Sequence, residues 1–110
     1  MGSLIISVYT TMPDPESAGA LSHQLISEKL AACANIFPVY SIYEWKSEIQ
    51  SENETAVLFK TRAELWDRIC SRIESLHPYD VPALVRYDVN ASDAYTRWVL
   101  DNTSENPVHS

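Results

Sequence analysis

The stretch Glu28-Lys29-Leu30-Ala31-Ala32-Cys33-Ala34-Asn35-Ile36-Phe37-Pro38 constrains this chain more than any other. Its apolar spacing changes from helical to extended within a few residues, and no glycine sits at the junction. The turn between helix and strand must be made by residues that carry a Cβ. Upstream, Leu4 to Thr11 is short, apolar and rich in β-branched residues, so it reads as a strand. Asp14-Pro15-Glu16 opens a helix: an acceptor at the N-cap, proline at the first helical position, then an acid near the positive dipole end. Leu21, Leu25, Ile26, Leu30 and Cys33 form a broad apolar arc at helical spacing. Lys29 falls inside that arc and fits it poorly; its charge is expected to snorkel or to reach another subunit.

Downstream, residues 35–46 form a long extended run, and Pro38 marks it as an edge or a bulge because proline has no donor. Residues 47–54 are polar and turn-like, and Thr55 to Thr61 alternates as an inner strand; together they predict a long hairpin. Thr61-Arg62-Ala63-Glu64 fits a capping box. Leu65, Trp66, Ile69, Cys70, Ile73 and Leu76 then line one helix face, and Pro78 ends that helix. Residues 83–89 read as a fourth strand, and Ser92 as the cap of a short last helix carrying Tyr95, Trp98 and Val99. Trp66 and Trp98 are expected in the core. Residues 103–110 are expected to fray, leaving an ordered core of about 4–102 within one domain, 1–110.

The order is βαββαβ with an extra C-terminal helix. It predicts an α+β, ferredoxin-like plait with a long hairpin between its second and third strands. Right-handed crossovers put both connecting helices on one face of a four-stranded antiparallel sheet, with strand one central. Strand one offers Leu4, Ile6 and Val8 to one side and Ile5 and Tyr9 to the other; the hairpin is likewise apolar on both sides. A sheet that buries both faces needs a second layer, most simply another copy of the chain.

A length of 110 residues suits one domain, with 45% apolar and 21% charged residues. The formal charge of −7 argues against a nucleic-acid partner, which needs a basic stripe, and leaves a solvated acidic surface or an attraction for cations. No segment approaches the roughly 18 apolar residues of a membrane span, and the start lacks the pattern of a signal peptide, so no membrane association is expected. With only Cys33 and Cys70, no disulfide framework is expected, and the protein is placed in the cytoplasm. Two glycines rule out a Gly-rich phosphate loop, and neither GxSxG nor HExxH occurs, so no enzyme is expected.

Candidate sites are few. Tyr43, Glu44 and Trp45 from the hairpin, with Lys60 and Tyr79, are expected to line a cleft for a small anion or an aromatic ligand, or else to pack at a subunit interface. His77, ending a helix beside Pro78 and Tyr79, offers an imidazole suited to copper or zinc, or else packs structurally. Cys33 and Cys70 lie on apolar faces read as helical, where thiols usually act as small hydrophobes. His23 is placed on the exposed side of the first helix and His109 in the tail; both are expected to be inert.

Several marks in order carry a resemblance: Thr10-Thr11-Met12-Pro13-Asp14, the Glu28–Pro38 run, Ser41-Ile42-Tyr43-Glu44-Trp45, Lys60-Thr61, His77-Pro78-Tyr79 and Tyr95-Thr96-Arg97-Trp98. Together, over roughly residues 4 to 100, they resemble the CutA (CutA1) family, associated with divalent-cation tolerance. The resemblance implies the same plait, a homotrimer, and a role in copper tolerance or the response to metal ions, with signalling-like binding of a ligand or metal and no catalysis. The alternative is a passive trimeric scaffold that recruits a protein partner. It also implies His77 as a copper-ligand candidate, helped by Cys33 or a neighbouring carboxylate. The chain departs from the family at Thr10, where some members carry a cysteine, at Val39 and Ser47, where glycine is usual, and at Ala83, where an acid is usual. Any copper or zinc binding is therefore expected to be weak and to depend on His77.

Overall fold

The computed structural model describes residues 3–104. Four strands, β1 (Ile5–Met12), β2 (Cys33–Trp45), β3 (Glu48–Arg62) and β4 (Val85–Val89), form one sheet in the order β2-β3-β1-β4, and every pairing is antiparallel. Helices α1 (Pro15–Ser27) and α2 (Trp66–Leu76) make the two crossovers, and α3 (Asp93–Asp101) follows β4. This is the expected plait, with β1 inside the sheet. Pro38 sits on β2, which is an edge strand, the place where a residue without a donor is tolerated.

α1 begins as its sequence directs. Asp14 accepts from Ser17 N–H at 2.7 Å, and this bond holds its carboxyl below the usual range. The end of α1 explains Lys29. Leu30 N–H bonds to the carbonyl of Leu25 and Lys29 N–H to that of Ile26, while Lys29 has φ 64°. That is a Schellman cap with a lysine in the left-handed position that glycine usually takes. Lys29 is exposed because it is the turn residue, and the apolar arc ends at Leu25, with Leu30 folding back onto it in the core. Cys33 is therefore not on the helix; it opens β2.

The core lies between α1, α2 and one face of the sheet. Ile6, Val8, Val57 and Phe59 face Leu21, Leu25, Ile69 and Ile73, all at most 4% exposed. Each such side chain contributes on the order of 1.5–3 kcal/mol through burial. Thr10 lies fully buried on this face, and its Oγ1 has no hydrogen-bond partner among the described residues. At the rim, Arg72 of α2 grips Glu28 with two bonds of 2.9 and 2.7 Å, tying α2 to the cap of α1.

Three expectations are corrected. The turn of the hairpin is not residues 47–54. Trp45 pairs with Glu48, so the turn is only Lys46 and Ser47, with φ 50° and 67°, and SEIQSENE belongs largely to β3. Positive φ at both central residues marks a type I′ turn, whose twist matches the strands and so wins over the residues' own preferences. The capping box does not form either. Thr61 is still in β3 and donates its hydroxyl to the carbonyl of Leu30 at 2.7 Å, and no side chain caps α2 or the 3-10 turn Ala63–Leu65 before it.

The third correction concerns the second face of the sheet, expected to lack any cover from this chain. α3 lies across one end of it: Arg62, on the same face as its register partner Ile5, reaches the carbonyl of Leu100 at 2.6 Å and Thr103 Oγ1 at 3.0 Å. Ser92 caps α3 as expected, accepting from Tyr95 N–H at 3.2 Å. Thr103, assigned above to the tail, is 6% exposed, and Ser104 N–H bonds to the carbonyl of Lys29. Residues 105–110, including His109, lie outside the described residues. Trp66 packs against the core as expected, but Trp98 is 45% exposed and stacks on Tyr95.

The tight turn yields a prediction. Ser47→Gly removes the Cβ from a left-handed position and is expected to stabilise the protein by about 0.5–1 kcal/mol, the gain being partly offset by the greater freedom of the unfolded chain. Urea unfolding of both proteins at equal concentration checks it, and an unchanged or lower midpoint contradicts the type I′ assignment.

Candidate functional site

The long hairpin and the loop after α2 enclose a cleft of about 740 Å³ on the face opposite the crossover helices. Tyr40, Ser41 and Ile42 of β2 line it together with residues that alternate along the strands. Tyr43 and Trp45 come from β2, Glu52 and Glu54 from β3, Tyr9 and Thr11 from β1, and Tyr79, Asp80 and Ala83 from the loop. Tyr79 donates its hydroxyl to Glu54 Oε2 at 2.8 Å, and Tyr43 donates to Glu52 Oε1 at 2.6 Å. Glu54 is 8% exposed.

The electrostatics follow from these pairs. Burial, then the hydrogen bond to Glu54, pushes the Tyr79 phenol far above its usual value. The bond to Glu52 raises that of Tyr43 first, and burial raises that of Tyr9. All three phenols stay protonated through neutral pH, so Tyr43 and Tyr79 remain donors to their carboxylates. No Lys, Arg or His lines the cleft among the described residues. It is acidic and ring-lined, and suits a cation rather than the anion expected above.

The structure brings together Tyr43, Trp45 and Tyr79 of the expected set, and leaves out Glu44 and Lys60. Glu44 alternates to the other side of β2. Lys60 pairs with Cys33 at the far end of the hairpin and donates to Asn35 Oδ1, about 30 Å from Tyr43 at the rise of a strand. Glu52 and Glu54 were hidden inside the segment read as a turn; only the corrected register puts them opposite Ser41 and Val39.

His77 has another job. Its Nδ1 accepts from Tyr79 N–H at 3.1 Å, so the ring proton sits on Nε2, which donates to the carbonyl of Thr11 at 2.7 Å. Both nitrogens are occupied, and the ring packs on Tyr79 with centroids 4.7 Å apart. It ties the end of α2 to β1 and aims Tyr79 into the cleft. Cys33 lies about 13 Å along β2 from Phe37, the residue level with Thr11, and cannot join it. Among the described residues, no group of three or more His, Cys, Asp or Glu side chains is placed to hold a metal. The residues of this single chain do not fit a copper or zinc centre at His77. Cys70 is half-buried on α2, and burial, helped by Glu74 and Asp67, pushes its thiol up to about 11, which makes it a poor ligand at neutral pH. His23 is exposed on α1.

Comparison with known proteins adds the family. The family described as CutA1 divalent ion tolerance protein matches residues 6–102. The divalent-cation tolerance protein CutA of Pyrococcus horikoshii is 41% identical over 102 residues, covering 92% of this chain and 100% of that protein. The crystal structure of CutA1 from Oryza sativa superposes with a TM-score of 0.89 at 35% identity, covering 94% of this chain and 97% of that one. That of CutA1 from Ehrlichia chaffeensis gives a TM-score of 0.87 at 40% identity, over 94% and 98%. With a match across nearly its whole length and the plait in common, this chain belongs to the CutA1 divalent ion tolerance family.

Proposed function

We propose that the chain works as a homotrimer whose subunits each present the acidic, ring-lined cleft to a small positively charged ligand, bound without turnover, in the response to divalent cations such as copper or zinc. The observation that carries this reading is the pair of tyrosine–carboxylate contacts, Tyr79 with Glu54 and Tyr43 with Glu52, in a cleft lined by no basic side chain. A metal role for His77 is not carried forward, because its ring is spent on Thr11 and Tyr79.

Assembly is supported by the apolar surface that one chain leaves bare. Tyr87 is 52% exposed and Val85 41% on the sheet face that α3 only partly covers, and Ile49 is 70% exposed on the hairpin. The number three rests on the family resemblance. We place the protein in the cytoplasm from its two free thiols, Cys33 and Cys70. No described helix is long and apolar enough to cross a membrane.

Sedimentation equilibrium at micromolar concentration is expected to report three times the 12.4 kDa chain mass. Titration of zinc at pH 7.5 is expected to weaken in the Glu52→Gln/Glu54→Gln double variant and to stay unchanged in His77→Ala. A single 12.4 kDa species sinks the assembly, and full zinc affinity in the double variant sinks the cleft as the metal's route. Loss of affinity in His77→Ala alone would return the metal to the imidazole.

A further inference from the structure

We propose that the cleft between the hairpin and the 79–83 loop binds a primary organic ammonium ion with an apolar or aromatic body. The inference rests on the reading of this cleft as a cation site and names the class of ligand.

The central observation is Glu54. Its residue is 8% exposed, yet only one carboxylate oxygen, Oε2, has a donor, the Tyr79 hydroxyl. Oε1 accepts no hydrogen bond among the described residues and, unlike Thr10 Oγ1, is not closed off from solvent, so it stays reachable from the cleft that Glu54 lines. A carboxylate with one oxygen held by a phenol and the other open gains from a facing charge. The lining supplies no basic side chain, which leaves that place to a cationic ligand. A primary ammonium offers three N–H donors on one compact charge. One donor meets the open oxygen of Glu54, and Glu52 and Asp80 add to the negative field.

The remainder of the lining decides between a bare metal ion and an organic cation. The described residues hold no group of three metal-ligating side chains, so a dehydrated divalent ion lacks a coordination shell within the chain. Tyr43, Trp45 and Tyr79 instead offer ring surface. Rings attract an ammonium through their faces and bury an attached hydrocarbon at the same time. A volume of about 740 Å³ is ample for such a molecule and far beyond what one ion needs. The raised Tyr79 phenol keeps its proton, so it holds Glu54 in place and leaves Oε1 for the ligand.

The test is calorimetric titration of the assembled protein at pH 7.5 with 2-phenylethylamine, a cation at that pH, and with 2-phenylethanol, its neutral counterpart. The amine is expected to give saturable heat at one per chain, and the alcohol to bind at least about tenfold more weakly, as loss of a charged hydrogen bond requires. Glu54→Gln is expected to weaken the amine by about the same factor. Glu52→Gln, at an exposed position where folding is not at stake, should weaken it severalfold. Absence of saturable heat, equal binding of amine and alcohol, or full affinity in a folded Glu54→Gln protein overturns the proposal. If the amine fails while zinc binding still depends on Glu52 and Glu54, the cation-site reading stands and only the ammonium assignment falls.

Discussion

Phe59→Ala is expected to destabilise the protein by about 3–5 kcal/mol. Phe59 is fully buried on β3, with Val8 of β1 on one side and Ala34 of β2 on the other. Ala34 is too small to fill the space left by a ring, and Val8 is locked in the β1 ladder, so the cavity cannot collapse. Domains of this size hold roughly 5–15 kcal/mol in total, so the loss is a large share. Urea unfolding of wild type and variant checks it, at one fixed protein concentration because assembly contributes to the apparent stability. A shift worth less than about 1 kcal/mol would mean that the centre of the core is not between β3 and the crossover helices.

Arg62→Ala is expected to release α3, with a loss on the order of 3 kcal/mol. One guanidinium spans the carbonyl of Leu100 at 2.6 Å, Thr103 Oγ1 at 3.0 Å and the carbonyl of Thr103 at 3.2 Å. These bonds share one side chain, so they are lost together rather than summed. The signature is local as well as global: amide exchange across 93–101 should speed up far more than in β1 and β3. Arg62→Lys should not rescue it, because an ammonium lacks the planar fork. Uniform exchange rates in Arg62→Ala would show that α3 is held by Val99 and its apolar neighbours instead. Freeing α3 also uncovers more of the second sheet face, so a change in the sedimenting species would connect this latch to assembly.

Much of the fold was legible in the amino-acid pattern, because local rules and tertiary structure agree there. Asp14-Pro15 starts α1, Ser92 caps α3, and Pro38, read as an edge or a bulge, sits on the edge strand β2. The alternation of strand and helix patterns, with right-handed crossovers, leaves the plait as the simple solution. The site was legible only in part. Tyr43, Trp45 and Tyr79 stood out as rings on the hairpin and in the loop after α2. Glu52 and Glu54 did not, since SEIQSENE has the composition of a turn.

What the sequence determined by itself was therefore the order of elements, the caps of α1 and α3 and the two-sided apolar character of the sheet, all set by interactions within a few residues. The tertiary structure decided the rest. Register, fixed by pairing β3 along the whole of β2, made strand out of a polar segment and turned its carboxylates toward Tyr43 and Tyr79. The turns at Lys29 and at Lys46-Ser47 adopt positive φ because packing on either side leaves no other path, although local preference opposes it. His77 became a strut rather than a ligand because Thr11, far away in the chain, offers its carbonyl at the end of β1. Each of these depends on contacts between residues distant in sequence, and a pattern that reports only near neighbours does not contain them.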